Sequence, residues 1–132
     1  MFQAEARRCK EIITVIKNNP KTSHFCIFDE LYSGTNPHEA ISSAYSYLLF
    51  LTKTKSLKFI LTTHFTKLCK LLNKDKNIVN NHMKTDIIDL IPQYRYRMIN
   101  GISTIKGGLC VLEQLNYPRE ILNDANDILK QM

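Results

Sequence analysis

Closely spaced cysteine pairs, long apolar runs and an apolar leader are all missing from these 132 residues. The four cysteines, Cys9, Cys26, Cys69 and Cys110, form no C-x-x-C pair. Zinc sites draw on ligands closely spaced along the chain, so no metal site of that kind is expected. The apolar stretch "SYLLFL" runs straight into Lys53 and Lys55, well short of the roughly 20 residues that a helix needs to cross a bilayer. Met1 is followed by polar and charged residues rather than an apolar core, so a signal peptide is not expected. Together these absences predict an intracellular protein with reduced thiols and no membrane partner. No internal repeat is visible.

What is present suffices for a packed domain. An apolar fraction of 44% argues against wholesale disorder, and 132 residues make one domain at most, or a piece of a larger one. The formal charge of +6 fits an anionic partner such as a nucleotide or nucleic acid. A lysine-coated surface fits it equally well.

Along the chain, residues 2–17 read as an amphipathic helix, with Ala6, Cys9, Ile13 and Ile16 at three- and four-residue steps. After the loop "NNPKTS", Phe25 to Phe28 read as a short, fully buried strand. A second helix spans Glu39 to Leu51, with Pro37 suited to its first turn. "LKFILTTH" reads as a second buried strand, and Phe65 to Leu72 as a helix. "NIVNNHMK" reads as a strand continuing into "TDIIDLIP". "QYRYRMING" alternates and ends in Asn-Gly, the pattern of a half-exposed strand. Leu109 to Leu115 form a short apolar helix. The last helix opens at Pro118 and would bury Ile121, Leu122, Ala125, Ile128 and Leu129. Buried strands alternating with helices predict a parallel sheet in an α/β domain.

In such sheets ligands gather at the carboxyl ends of the strands. Two ends here carry ionisable groups: "FCIFDELYSGTNP" places Asp29 and Glu30 after the first strand, and "FILTTH" places His64 after the second. A carboxylate just past a buried strand suits a nucleotide-bound Mg²⁺, which takes oxygen ligands and keeps several waters. A second carboxylate can take a proton from a water attacking a phosphate. The plainer reading is that Asp29 caps the turn and Glu30 faces solvent. A histidine at the neighbouring strand end can hydrogen-bond a terminal phosphate, which favours a phosphate site.

These residues resemble a known family. "FCIFDELYSGTNPHEA" looks like the Walker B and D-loop segment of the MutS-type DNA mismatch repair ATPases, and "FILTTHF" like their switch-histidine strand. "YRYRMINGISTIKGGLCVLEQLNYPREILNDANDIL" is similar to the family's closing strand, Gly-rich loop and two-helix tail. "FQAEARR" resembles the start of the helix that follows the family's signature loop. Transporter-type and chromosome-condensing ABC ATPases share the Asp-Glu and the His, but not the Gly-Thr-Asn-Pro turn or this tail.

The resemblance implies part of an ABC-type P-loop NTPase sheet flanked by helices (residues 1–108), followed by a two-helix tail (109–132) that packs across a dimer interface. It implies ATP and Mg²⁺ as cofactors, with Asp29 helping to hold Mg²⁺ through water. Glu30 would be the general base, and His64 would sense the γ-phosphate. Ser33, Gly34, Thr35 and Asn36 would form the loop that crosses to the partner subunit. The implied partners are mismatched double-stranded DNA, met through the parent protein, and a second MutS-like subunit in a homodimer or heterodimer.

Departures from the family pattern qualify what these residues would do. No G-x-x-x-x-G-K-[ST] loop occurs among them, and Gly107-Gly108 is the only glycine pair. Tyr32-Ser33 stands where the family often carries Gly-Arg, and Asn36-Pro37 replaces Ser-Thr or similar. Phosphate affinity in a P-loop enzyme comes mainly from backbone N–H groups and the loop lysine. The expectation is a C-terminal fragment of a mismatch-repair ATPase that binds ATP weakly by itself and exposes apolar surface. The contrasting expectation is a non-catalytic docking module derived from such an ATPase. A nucleic-acid module would rest only on charge and on the interleaving of Tyr94, Arg95, Tyr96 and Arg97, which strand alternation explains more simply.

Overall fold

The computed structural model describes residues 1–105 and 107–132. Two compact units divide the chain, Met1–Val79 and Asn80–Met132.

In the first unit, α1 (Phe2–Asn18) is followed by β1 (His24–Asp29), α2 (Pro37–Thr52), β2 (Leu57–Thr62) and α3 (Thr66–Leu72). The apolar spacing of α1 turns Cys9 and Ile16 fully inward, with Ala6 and Ile13 packed against the same core. Asn36 caps α2: its Oδ1 accepts from the His38 N–H at 2.9 Å, and Pro37 supplies the first helical φ. Ala40, Ala44, Tyr47, Leu48 and Leu51 then form one buried stripe down α2. Leu48, Leu51 and Leu68 have no appreciable exposure and mark the centre of this core.

The parallel pairing of β1 with β2 runs in register from His24↔Leu57 to Asp29↔Thr62, with α2 as the crossover. The two strands lie where their sequences predicted, but they are not fully buried. His24, Cys26 and Phe28 alternate with Phe25 and Ile27, which are 62% and 72% exposed; Ile60, paired with Ile27, is 55% exposed. Only one face of this two-stranded sheet is covered within the unit. A continuous apolar run signals two covered faces. Here the second face, Phe25, Ile27 and Ile60, stands open.

The second unit contains the antiparallel hairpin β3 (Asn81–Ile88) and β4 (Ile91–Asn100), followed by α4 (Gly107–Gln114) and α5 (Arg119–Gln131). Asp89 and Leu90 join the strands with φ of +49° and +65°, the left-handed pair that a two-residue hairpin turn requires. β3 starts at Asn81, four residues later than the start of the predicted strand at Asn77. The expected half-exposed alternation of Tyr94 to Ile99 is not observed: every residue from Tyr94 to Met98 is exposed. The register shifts between Met83 and Thr85, and Tyr96 has a φ of +54°, so a bulge interrupts the pleat that would have turned alternate side chains inward.

α4 ends in a Schellman arrangement. Asn116, at φ +57°, donates to the Glu113 carbonyl, and the Tyr117 N–H reaches back to the Leu112 carbonyl at 3.1 Å. Gln114 Nε2 ties α4 to the hairpin through the Leu90 carbonyl at 2.7 Å. Of the five α5 residues expected to be buried, only Leu122 is fully so; Ile121 and Ile128 are exposed. With Leu109, Ala125, Leu129 and Met132 they line an open apolar groove of about 730 Å³. The fold class is therefore α/β, with five helices and two small sheets among the described residues.

Candidate active site

Parallel pairing brings the carboxyl ends of β1 and β2 side by side, and the candidate residues meet there. Asp29 is the last residue of β1 and pairs in register with Thr62, the last of β2. The Thr62 hydroxyl donates to Asp29 Oδ1 at 2.6 Å, and the Glu30 N–H donates to the Thr62 carbonyl at 2.9 Å. The ladder thus extends one residue beyond β1 and anchors the backbone of Glu30. Beyond β2, Thr63 Oγ1 accepts from the Phe65 N–H at 3.0 Å, a side-chain turn that leads into α3.

His64 is carried on that turn. Its Nε2 lies 2.7 Å from Glu30 Oε1, with the two side chains 90% and 44% exposed. So exposed a pair adds little to stability. What it does is bring the imidazole and the carboxylate, from different strand ends, into direct contact. The structure therefore joins Glu30 to His64 and Asp29 to Thr62, two separate contacts at neighbouring strand ends. The sequence shows the hydroxyls beside His64; only the Asp29↔Thr62 register gives Thr62 its partner.

The segment after Glu30 is held in an unusual backbone. Glu30 and Tyr32 have φ of +56° and +60°, a conformation that costs a non-glycine residue roughly 1–2 kcal/mol. Leu31 and Tyr32 are buried, which offsets that cost. The Tyr32 N–H donates to Glu5 Oε1 at 2.6 Å, and its ring packs edge-on against Phe2 and Tyr47. Tyr47 Oη donates to the Cys9 carbonyl at 2.9 Å. Burial pushes both phenols well above their ordinary range and the Cys9 thiol upward, so all three stay neutral at physiological pH.

The loop residues are divided in role. Asn36 is engaged in capping α2, and Thr35 Oγ1 reaches Glu39 at 3.4 Å. Ser33 and Gly34 are exposed. A Cβ at Gly34 would meet Phe2, its backbone nitrogen nearest at an ordinary 3.7 Å, so the packing of this chain does not require glycine there. Among the described residues, no group of three or more His, Cys, Asp or Glu side chains could hold a metal ion by itself.

Residues 2–132 match the family model of MutS domain V. The chain belongs to that family. It is 32% identical over 123 residues to the endonuclease MutS2 of Finegoldia magna, covering 92% of this chain and 15% of that protein. The DNA mismatch repair protein MutS of Aquifex pyrophilus is 26% identical over 120 residues, covering 91% of this chain and 14% of its own length. The endonuclease MutS2 of Clostridium novyi is 32% identical over 116 residues, covering 88% and 14%. The chain thus spans about one-seventh of the length of the curated relatives it matches. The family resemblance carried by the Asp-Glu turn, the histidine strand and the tail is borne out, and the chain is a region of a MutS-family protein. Among the described residues, no helix is long and apolar enough to cross a membrane.

Proposed function

We propose that this MutS domain V region supplies the hydrolytic side of an ATP site, within an intracellular dimeric protein that binds mismatched DNA. The observation that carries this reading is the meeting of Glu30 and His64 at 2.7 Å, beside Asp29, at the ends of two parallel strands. In this reading Glu30 takes a proton from a water attacking the γ-phosphate. His64, on a separate turn, can orient that water or donate to a terminal phosphate oxygen. Thr62 holds one oxygen of Asp29 and so fixes the carboxylate's rotamer.

The donor set fits Mg²⁺ in a limited way. Hard oxygen donors are present in Asp29 and Thr62, but one carboxylate with no third ligand suits a water-mediated contact to an ion arriving with the nucleotide. Bound there, Mg²⁺ would neutralise charge on the phosphates. The phosphate-binding loop must be contributed by residues outside these 132, from the same polypeptide or another. The open face of Phe25, Ile27 and Ile60 gives the rest of a P-loop sheet's helical cover a place to pack. Ser33 to Asn36 would face the partner's site, and the groove between α4 and α5, within residues 109–132, would contribute to the dimer interface. That groove also suits a purely docking role.

ATP turnover distinguishes the two. The chain joined with a polypeptide carrying a phosphate loop should hydrolyse ATP, and the chain alone should not. Robust turnover by the chain alone would show that the site is complete without that loop. Stable association with no turnover in the joined assembly would leave only the docking role.

A further inference from the structure

We propose that Glu5 and Tyr32 form a clamp that positions Glu30, making both of them positioning residues for the reaction; this rests on reading Glu30 as the water-activating base. Glu30 and Tyr32 lie two residues apart, both in the left-handed region that their side chains disfavour. Within the turn itself, only the Ser33 N–H closes back on the Glu30 carbonyl, at 3.4 Å. Such a segment keeps one conformation only if its surroundings hold it.

The holding groups come from α1 and α2. The Tyr32 amide donates to the Glu5 carboxylate at 2.6 Å, across 27 residues of sequence, a charge-assisted bond of the strong kind. The ring of the same residue is held too, edge-on to Phe2 and Tyr47. Tyr32 is thus tied to α1 at both its amide and its ring. Glu30 is pinned to β2 through its own N–H. Those anchors fix the direction of the Glu30 Cα–Cβ bond, and the carboxylate it carries meets His64. A shift of the first turn of α1, where Phe2 and Glu5 lie, is therefore passed through Tyr32 to the base.

The test uses the full 132-residue chain and NMR. Glu5→Ala should speed exchange of the Tyr32 amide by about ten- to a hundred-fold, the equivalent of losing one charge-assisted bond. It should also move the His64 ring resonances as Glu30 loosens, while the Leu48 and Leu68 amides keep their protection. Glu5→Gln keeps an acceptor oxygen and should lie between; should Glu5→Ala fail to fold, this variant carries the test. Tyr32 exchange and His64 resonances identical to wild type in the folded variant would overturn the clamp.

In an assembly that carries a phosphate loop, Glu5→Ala should lower kcat about ten-fold with KM for ATP nearly unchanged, and Glu5→Gln should recover part of the loss. Turnover unaffected by Glu5→Ala would also overturn the clamp. No turnover by the wild-type assembly, with the NMR signature intact, would instead overturn the ATP reading of the site.

Discussion

Tyr47 is the residue on which the first unit's core and the candidate site both lean, and truncating it in steps should separate its two roles. Its ring lies 5.8 Å from Phe28 and 6.1 Å from Tyr32, both edge-on, and its hydroxyl donates to the Cys9 carbonyl at 2.9 Å in a buried setting. Tyr47→Phe removes only the hydroxyl. A neutral buried hydrogen bond is worth about 1 kcal/mol net, and the carbonyl left behind lies in a helix, so a loss near that figure is expected. Tyr47→Ala removes the ring as well, and an aromatic truncation in a core costs about 3–5 kcal/mol. Against a typical domain stability of about 5–15 kcal/mol, the second variant should sit near the edge of folding. Urea unfolding followed by far-ultraviolet circular dichroism measures both, with Leu68→Ala as a control of similar size elsewhere in the core. Tyr47→Ala should also release the Tyr32 amide to exchange, beyond what its global destabilisation explains, and Leu68→Ala should not. A Tyr47→Ala loss below about 1 kcal/mol would refute the packing argument. Equal effects of the two truncations on Tyr32 would refute the link to the turn.

Further outcomes follow from individual contacts and exposures. Asn36→Ala should destabilise the chain by about 1 kcal/mol through loss of the α2 cap, whereas Gly34→Ala should leave the urea midpoint unchanged and act only in an assembly. Cys9, buried and with its thiol pushed upward, should react with a maleimide more slowly than the less buried Cys110, as peptide mass spectrometry can read. The Arg95 guanidinium at 2.8 Å holds the Asp86 carboxyl below its ordinary 3.8. Its contribution to the hairpin is therefore present at neutral pH and fades as pH falls through that lowered value; Arg95→Leu should bring the titration seen by NMR back toward 3.8.

Much of this was legible in the residues, for reasons that can be named. Local signals were strong where one residue does one job: Pro37 and Asn36 at a helix start, Pro118 before α5, and the three-and-four spacing in α1. The juxtaposition of the strand ends was legible because parallel pairing sets carboxyl ends side by side, and Asp29-Glu30 and His64 come at the ends of two apolar strands. Which residues lie open was not legible. A strand such as Phe25–Phe28 advertises two apolar faces; exposed apolar surface was expected from the missing phosphate loop, and the structure shows that Phe25, Ile27 and Ile60 carry it. The bulge at Tyr96 likewise erases an alternation that the letters display, because a single left-handed residue resets the pleat. Glu5 could not have been found by spacing, since the contact it makes lies far along the chain. Tyr32 left a trace, a bulky residue where the resemblance led us to expect glycine, and its φ of +60° is one that glycine adopts freely.

The assignment of Glu30 stands or falls on one comparison: kcat and nucleotide affinity of Glu30→Gln against wild type, in an assembly that supplies the phosphate loop. General-base catalysis contributes about 10²- to 10⁴-fold. Kcat should fall by that order while the Kd for ATP stays close to wild type, because the amide preserves the side chain's shape and its contact with His64. A kcat within about two-fold of wild type, with ATP still bound, would contradict the reading of Glu30 as the base.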